Sequence, residues 1–242
     1  MERKPRKNAI GQMIGWPVEQ DLPRPRPERV KLKGRYAKLA PLDPVKHGDD
    51  LFAALCSAEE GAEGVWTYMP VGPFPSRIAF DHWLTQAAQS KDPLFFAILD
   101  RDTGRALGSA SLLRIHPNMG AVEIGFLLFG PELQRSVIAT EAMALFMTYV
   151  FDELGYRRYE WKCDALNAPS RRAAERLGFV HEGIFRQAVV YKGRNRDTAW
   201  YSIIDTDWPK VKAGLEAWLD PDNFKKKTGQ QKRRLEDCRK KP

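Results

Sequence analysis

Leu133-Gln134-Arg135-Ser136-Val137-Ile138-Ala139-Thr140-Glu141-Ala142 runs out of a strand-like region into the clearest helix of the chain. Ala139, Met143, Phe146, Met147, Val150, Phe151 and Leu154 recur at spacings of three and four, which puts one apolar stripe on a helix that Gly155 ends. A cofactor carrying a pyrophosphate needs backbone N–H groups aimed at it, and a helix N-terminus presents them with a favourable dipole. Taken alone, Gln134–Thr140 is compatible with either a phosphate site or an ordinary strand-to-helix connection.

Upstream of this junction the pattern is an antiparallel run. Leu94–Leu99 predicts a strand, Asp102-Thr103-Gly104 a hairpin turn, and Ala106–Ile115 the returning strand. Pro117-Asn118-Met119-Gly120 turns again into a third strand, Ala121–Phe129. Earlier still, Arg35–Leu42 reads as a strand, and Pro44 opens a helix containing Leu51, Phe52 and Leu55. Gly61–Pro75 is a loop rich in Gly, Pro and aromatics, and a helix follows from a cap at Ser76 to about Ser90.

Downstream, Arg157–Lys162 is strand-like, and Asn167-Ala168-Pro169-Ser170 begins a short helix closing at Leu177-Gly178. Phe179-Val180 starts a long strand towards Lys192, Gly193-Arg194-Asn195 turns the chain, and Thr198–Ile204 returns. Asp207-Trp208-Pro209 is expected to cap a last helix with Val211, Leu215, Trp218 and Leu219 on one face. The mixed order predicts one α+β domain over residues 30–219, preceded by a proline-spaced basic arm over 1–29. Residues 220–242 are expected to be a disordered basic tail.

The net charge of +8 belongs to these ends, since residues 1–29 carry +3, residues 220–242 carry +5 and the part between is neutral. Few aromatics interleave the basic residues, so the tails are weak evidence for nucleic acid and fit solvated disorder better. No apolar run approaches the ~20 residues that a bilayer span needs. The basic N-terminus lacks a following apolar stretch, which argues against a secretory signal and for the cytoplasm. Cys56, Cys163 and Cys238 lie far apart, as do the four histidines, so neither a structural metal nor a disulfide framework is expected.

Several further stretches alter the reading of the junction. Val122-Glu123-Ile124-Gly125-Phe126, Phe151–Arg158, Asn167–Arg172, Glu175-Arg176-Leu177-Gly178-Phe179, Glu182-Gly183 and Asp197–Ser202 occur around it in a characteristic order. Together they resemble the GCN5-related N-acetyltransferases (GNAT), in the branch similar to the RimJ/RimL ribosomal-protein N-terminal acetyltransferases. The resemblance covers roughly residues 35–206. It implies a mixed, largely antiparallel twisted sheet with a splayed central strand pair and flanking helices. It also implies acetyl-CoA as co-substrate and an amine acceptor, on a small molecule or a peptide.

The resemblance assigns roles residue by residue. Gln134, Arg135, Ser136, Val137, Ile138, Ala139 and Thr140 match the phosphate loop, with one departure: the first glycine of the usual motif is Val137. A β-branched residue at positive φ is strained, so either this loop takes ordinary dihedrals or phosphate binding is weakened. The resemblance also implies that the strand Ala121–Phe129 bulges and opens a cleft beside the next parallel strand, where free backbone N–H groups of Phe126, Leu127 and Leu128 would face the acetyl carbonyl and pantetheine. Strict alternation places Val122, Ile124, Phe126 and Leu128 on one face and Glu123, Gly125 and Leu127 on the other. Glu123 is the candidate general base or, equally, a strand carboxylate paired with an arginine or solvated; Asn167 is the candidate pantetheine contact, and Ser170 a cofactor contact and candidate acid. Asn167 equally suits a helix cap. Asp197, Trp66 and Tyr68 are candidate acceptor contacts; Trp66 and Tyr68 suit buried core anchors at least as well, and Asp197 equally suits a turn-stabilising pair with Arg194 or Arg196. An acyl-CoA sensor without turnover is the main alternative, a basic-tailed nucleic-acid protein the lesser one. The sequence is equally compatible with a monomer or a homodimer.

Overall fold

The computed structural model describes residues 4–56 and 63–240. Two short strands, β1 (Arg6–Lys7) and β2 (Met13–Ile14), pair within the N-terminal arm. Next come β3 (Leu32–Lys33), β4 (Ala37–Pro41), α1 (Pro44–Cys56), α2 (Arg77–Gln89), β5 (Leu94–Asp100), β6 (Ala106–His116) and β7 (Ala121–Phe129). The remainder is α3 (Val137–Thr148), β8 (Arg158–Asp164), α4 (Ala168–Leu177), β9 (Val180–Tyr191), β10 (Arg194–Ile204), α5 (Trp208–Leu219) and α6 (Leu235–Cys238). Gly61 and Ala62, the start of the expected aromatic loop, lie outside the described residues.

Strands β3 to β10 make one sheet in the order β3-β4-β5-β6-β7-β8-β10-β9. Every neighbouring pair is antiparallel except β7 and β8. That exception follows from connectivity, because α3 carries the chain back to the end of the sheet at which β7 began. The expected mixed, largely antiparallel α+β sheet is therefore the one the chain forms.

Four helices begin where short polar side chains satisfy a first-turn donor, Asp43 doing so for α1 by accepting from the Val45 N–H at 3.0 Å. Ser76 accepts from the Ala79 N–H at 3.2 Å, Ser136 from Ala139 at 3.0 Å, and Asn167 from Ser170 at 3.1 Å. Asp207 does not cap α5 as expected; its carboxylate accepts the Ile204 N–H at 3.3 Å instead. The apolar stripe of α3 continues beyond Thr148, but Tyr149–Glu153 widen into a π turn before Gly155 reverses the chain at φ +66°.

One apolar layer lies between the sheet and α3, α4 and α5; the other lies between the sheet and α1 and α2. The C-terminal segment is packed, not a solvated tail. Its composition is basic, yet Phe224 meets Trp218 edge-on at 5.2 Å and Leu235 is fully buried in the first layer. Asn223 is buried too, donating to the Trp218 carbonyl and accepting the Arg233 N–H. Lys225, Lys226 and Lys227 stay exposed, so the charge remains in water while the two apolar side chains anchor the segment. The N-terminal arm is also tied down: Arg24 donates to the Leu154 carbonyl, and the Glu28 N–H to the Tyr149 hydroxyl.

Candidate active site

The parallel pair β7/β8 holds register only from Ala121↔Arg158 to Ile124↔Trp161. Beyond it, Gly125–Phe129 and Lys162–Asp164 diverge and the sheet opens. A β-bulge in β7 accompanies the divergence. Gly125 pairs with Ser111 and Leu128 with Ser109, so Phe126 and Leu127 together oppose the single residue Ala110. Phe126 takes φ +48° to make the turn.

The extra residue overturns the expected alternation. Val122 and Ile124 face the α3 layer, and after the bulge Leu127 and Phe129 face it, while Phe126 and Leu128 join the α1/α2 layer. Of the three expected backbone donors, Phe126 and Leu127 lie in the bulge, whereas Leu128 is back in register with β6.

The open end of β7 leads into the junction before α3. Leu133 and Gln134 donate their N–H groups to the Gly130 carbonyl, and the Gln134 side-chain amide donates to the Phe129 carbonyl at 2.9 Å. Arg135 takes the left-handed conformation, φ +59°, so Val137 enters as an ordinary first residue of α3. The positive φ that a glycine would relieve has moved two residues upstream. Ser136 occupies the Ala139 N–H, and those of Val137 and Ile138 have no partner among the described residues. Thr140 does not add a hydroxyl to this loop: it is buried, next to the Ser136 carbonyl at 3.4 Å and accepting from Arg176 at 3.1 Å. Ala139 likewise packs into the α3 layer.

Glu123 lies on β7 just before the opening and is 5% exposed. Its Oε2 is 2.9 Å from Lys162 Nζ and 3.5 Å from Arg114 Nε. Burial pushes the carboxyl above its usual value, and Lys162 and Arg114 act against that. Its other oxygen, Oε1, points along the strand, where a Cβ on Gly125 would stand 3.6 Å away. Asn167 caps α4, and the Ser170 hydroxyl accepts from the Trp161 indole at 3.0 Å. Trp161 is the last β8 residue paired with β7, so this bond holds Ser170 at the root of the opening.

The expected acceptor contacts fare differently. Trp66 is 1% exposed, donates its indole N–H to the Leu55 carbonyl, and packs edge-on against Phe74 and Trp83. It is a core anchor. Tyr68 remains at the surface, and its hydroxyl donates to the Leu166 carbonyl at 3.2 Å, joining the aromatic loop to the β8–α4 turn. Asp197 turns into the β9/β10 hairpin, accepting from the Gln187 N–H at 2.8 Å and from Asn195 at 3.0 Å. Gln187 sits at φ +50° in an irregular stretch of that ladder, and the carboxylate satisfies the N–H freed there. These bonds, the Gln187 N–H foremost, hold the Asp197 carboxyl below its usual range.

Other groups at the site went unread. Lys162 is one. Asp164 is buried at the end of β8 and accepts from the Tyr191 hydroxyl at 2.9 Å and the Leu166 N–H at 2.8 Å. Lys192 donates to the Trp66 carbonyl and Arg194 to that of Thr67, clasping the hairpin tip over the aromatic loop. A signal for the β8 groups was present: Arg158, Glu160, Lys162 and Asp164 are charged at every second position, which a strand places on one face.

An opened parallel pair, a bulge at its edge and a capped helix with open first-turn donors define an acyl-CoA-binding type of fold, and the comparisons name it. The family model described as acetyltransferase (GNAT) domain matches residues 41–180. A GCN5-related N-acetyltransferase from Brucella melitensis is 52% identical, with TM-score 0.88 over 92% of this chain and 99% of that one. A protein described as a probable acetyltransferase of the GNAT family, from Chromobacterium violaceum ATCC 12472, is 36% identical, with TM-score 0.74 over 84% of this chain and 100% of that one. A protein described as uncharacterized N-acetyltransferase YnaD, from Bacillus subtilis (strain 168), is 30% identical over 86 residues, covering 36% of this chain and 50% of that protein. Against the curated relatives the chain spans between half and two thirds of their length. The chain belongs to the GNAT acetyltransferase family. No helix among the described residues is long and apolar enough to cross a membrane.

Proposed function

We propose that the chain transfers an acetyl group from acetyl-CoA to a primary amine of a small molecule or a peptide. The observation supporting this is the opening between β7 and β8, with the β7 bulge at its edge, Glu123 just before it and the open N–H groups of Val137 and Ile138 in the junction that follows β7. Bound acetyl-CoA supplies an activated thioester carbonyl.

The chain's own groups fit that co-substrate. The Val137 and Ile138 N–H groups, with the dipole of α3 behind them, would take the pyrophosphate, flanked by Gln134, Arg135 and Ser136. The Phe126 and Leu127 N–H groups would take the acetyl oxygen and stabilise the charge that develops there. An ammonium with a pKa near ~10 must lose a proton before it attacks, and Glu123 Oε1 would accept it, directly or through one water. Asn167 would contact pantetheine. Ser170, whose hydroxyl already accepts from Trp161, would offer its own proton to the leaving sulfur.

The reading is tested by measuring free CoA release from acetyl-CoA across a panel of amines and N-terminal peptides, with calorimetry for binding. Release with at least one amine, lost in Glu123→Gln, is the expected result. Tight acetyl-CoA binding with no release from any acceptor would overturn turnover and leave a sensor. Absence of binding would overturn the cofactor assignment as well.

A further inference from the structure

Lys162 has no part in the steps above, yet it is the most enclosed ammonium at the site. Its side chain is 4% exposed, on β8 one residue past the last pairing with β7. Nζ stands 2.9 Å from Glu123 Oε2, 2.7 Å from Glu160 Oε2 and 3.7 Å from the centroid of the Trp200 ring. Register explains the arrangement: Glu123 lies opposite Glu160 across the parallel pair, and Lys162 opposite Trp200 across β8/β10. Trp200 is itself held, stacked on Phe185 at 4.5 Å.

Two carboxylates facing each other in a buried place disfavour joint ionisation, and a buried ammonium is tolerated only with close counter-charges. Lys162 resolves both difficulties, with the electron-rich face of Trp200 closing its remaining side. The charged groups facing Glu123 are Arg114 from β6 and Lys162 and Glu160 from β8; Trp200, the β10 residue beside them, is uncharged. Glu160 is occupied on its far side by Arg158 at 2.6 Å. Both cations reach Glu123 through Oε2, so Oε1 is left towards the opening.

We propose that Lys162 is a positioning residue: clamped between Glu160 and the Trp200 ring, it grips Oε2 of Glu123, keeps that buried carboxylate ionised, and leaves Oε1 to take the acceptor's proton. The proposal rests on the reading of Glu123 as general base. Arg114, exposed and farther away, does not replace the grip.

The test is a pH titration of Glu123 in the full chain, by isotope-edited infrared difference between each background and the same background carrying Glu123→Gln. Lys162→Met is expected to raise the midpoint by about one pH unit or more, a tenfold or greater loss of the ionised form on the acid side. Lys162→Arg should restore it towards the wild-type value. The acid limb of kcat/KM should move with the midpoint, while the KM for acetyl-CoA stays within about twofold. If Lys162→Met does not fold, Lys162→Met with Glu160→Gln removes one charge of each sign and should shift the midpoint in the same direction. An unmoved midpoint, with Glu123→Gln inactive, overturns this proposal and leaves the base assignment standing. Full activity of Glu123→Gln overturns the base assignment and the proposal together.

Discussion

Glu141 of α3 accepts the backbone N–H of Ala37 at 2.6 Å, and with it those of Tyr36 and Arg35, tying α3 to the turn that opens β4. The carboxylate is buried, and three main-chain donors take the place of a cation. Glu141→Ala strands those donors, at ~1–3 kcal/mol for a buried one left unsatisfied. Urea denaturation should therefore show a loss of about 3 kcal/mol with little change in m. Gly34→Ala should be destabilising by the same route, because its Cβ would lie 2.3 Å from the Glu141 carboxyl carbon. A midpoint unchanged in both variants would contradict this account of the turn.

Val137 is the first residue of α3, and Ser136 before it is extended at φ −84°, ψ 163°. Proline is favoured at that position and tolerates an extended predecessor, so Val137→Pro should keep the fold. It removes one of the two open donors. Calorimetry should show CoA affinity falling about tenfold, the worth of one charge-assisted hydrogen bond at ~1.5 kcal/mol. Affinity equal to wild type would mean that the Val137 N–H does not touch phosphate.

Leu235 is buried against the α3 layer, in a segment whose composition is that of a tail. Leu235→Ala should cost ~2–5 kcal/mol, as for other buried leucines, read as a lowered thermal midpoint. Ending the chain after Asp220 should lower it further, since Phe224, Asn223 and Arg239 then leave Trp218 and α4 uncovered. A truncated chain as stable as the whole would show the segment to be an ornament.

Arg158 joins Glu160 and Glu182, and its guanidinium holds the Glu182 carboxyl below the usual range, with the Ser202 hydroxyl assisting. A carboxyl depressed in the folded state stabilises above its unfolded value, ~4.3, and loses that contribution as pH falls through the folded one. Glu182→Gln should thus lower the thermal midpoint at neutral pH and flatten its decline below about pH 4. Parallel wild-type and variant curves from pH 3 to 7 would contradict the assignment.

Much of the fold was legible because local chemistry and tertiary need agree in it. Ala121–Phe129 is a strand in sequence and in structure, and Ser76 and Asn167 cap the helices whose starts they mark. The bulge in β7 was legible through the family resemblance, but the residues themselves did not carry it. Phe126 and Arg135 both take positive φ without being glycine, and only the tertiary setting requires it of them. Trp66 stays ambiguous in the sequence because an aromatic in a Gly/Pro-rich loop suits a pocket wall and a core plug equally, and burial alone separates the two. Bulk charge hid Phe224 and Leu235 in the same way, since an average over a basic segment is blind to two apolar anchors. The alternating charges of Arg158–Asp164 were in plain view, but their partners sit on β7 and β10, which only the sheet order brings alongside.

The short shared register of β7 and β8 makes the molecule resemble a clothes-peg. Two jaws, β3 to β7 on one side and β8 to β10 on the other, are welded at their root over a few residues and part beyond it. The N-terminal arm is strapped beneath that root: the Arg24 N–H bonds to the Pro117 carbonyl and Gln20 to Asp205. The arm thus reinforces the one place where the two jaws are joined, well away from the side chains that line the mouth of the gap.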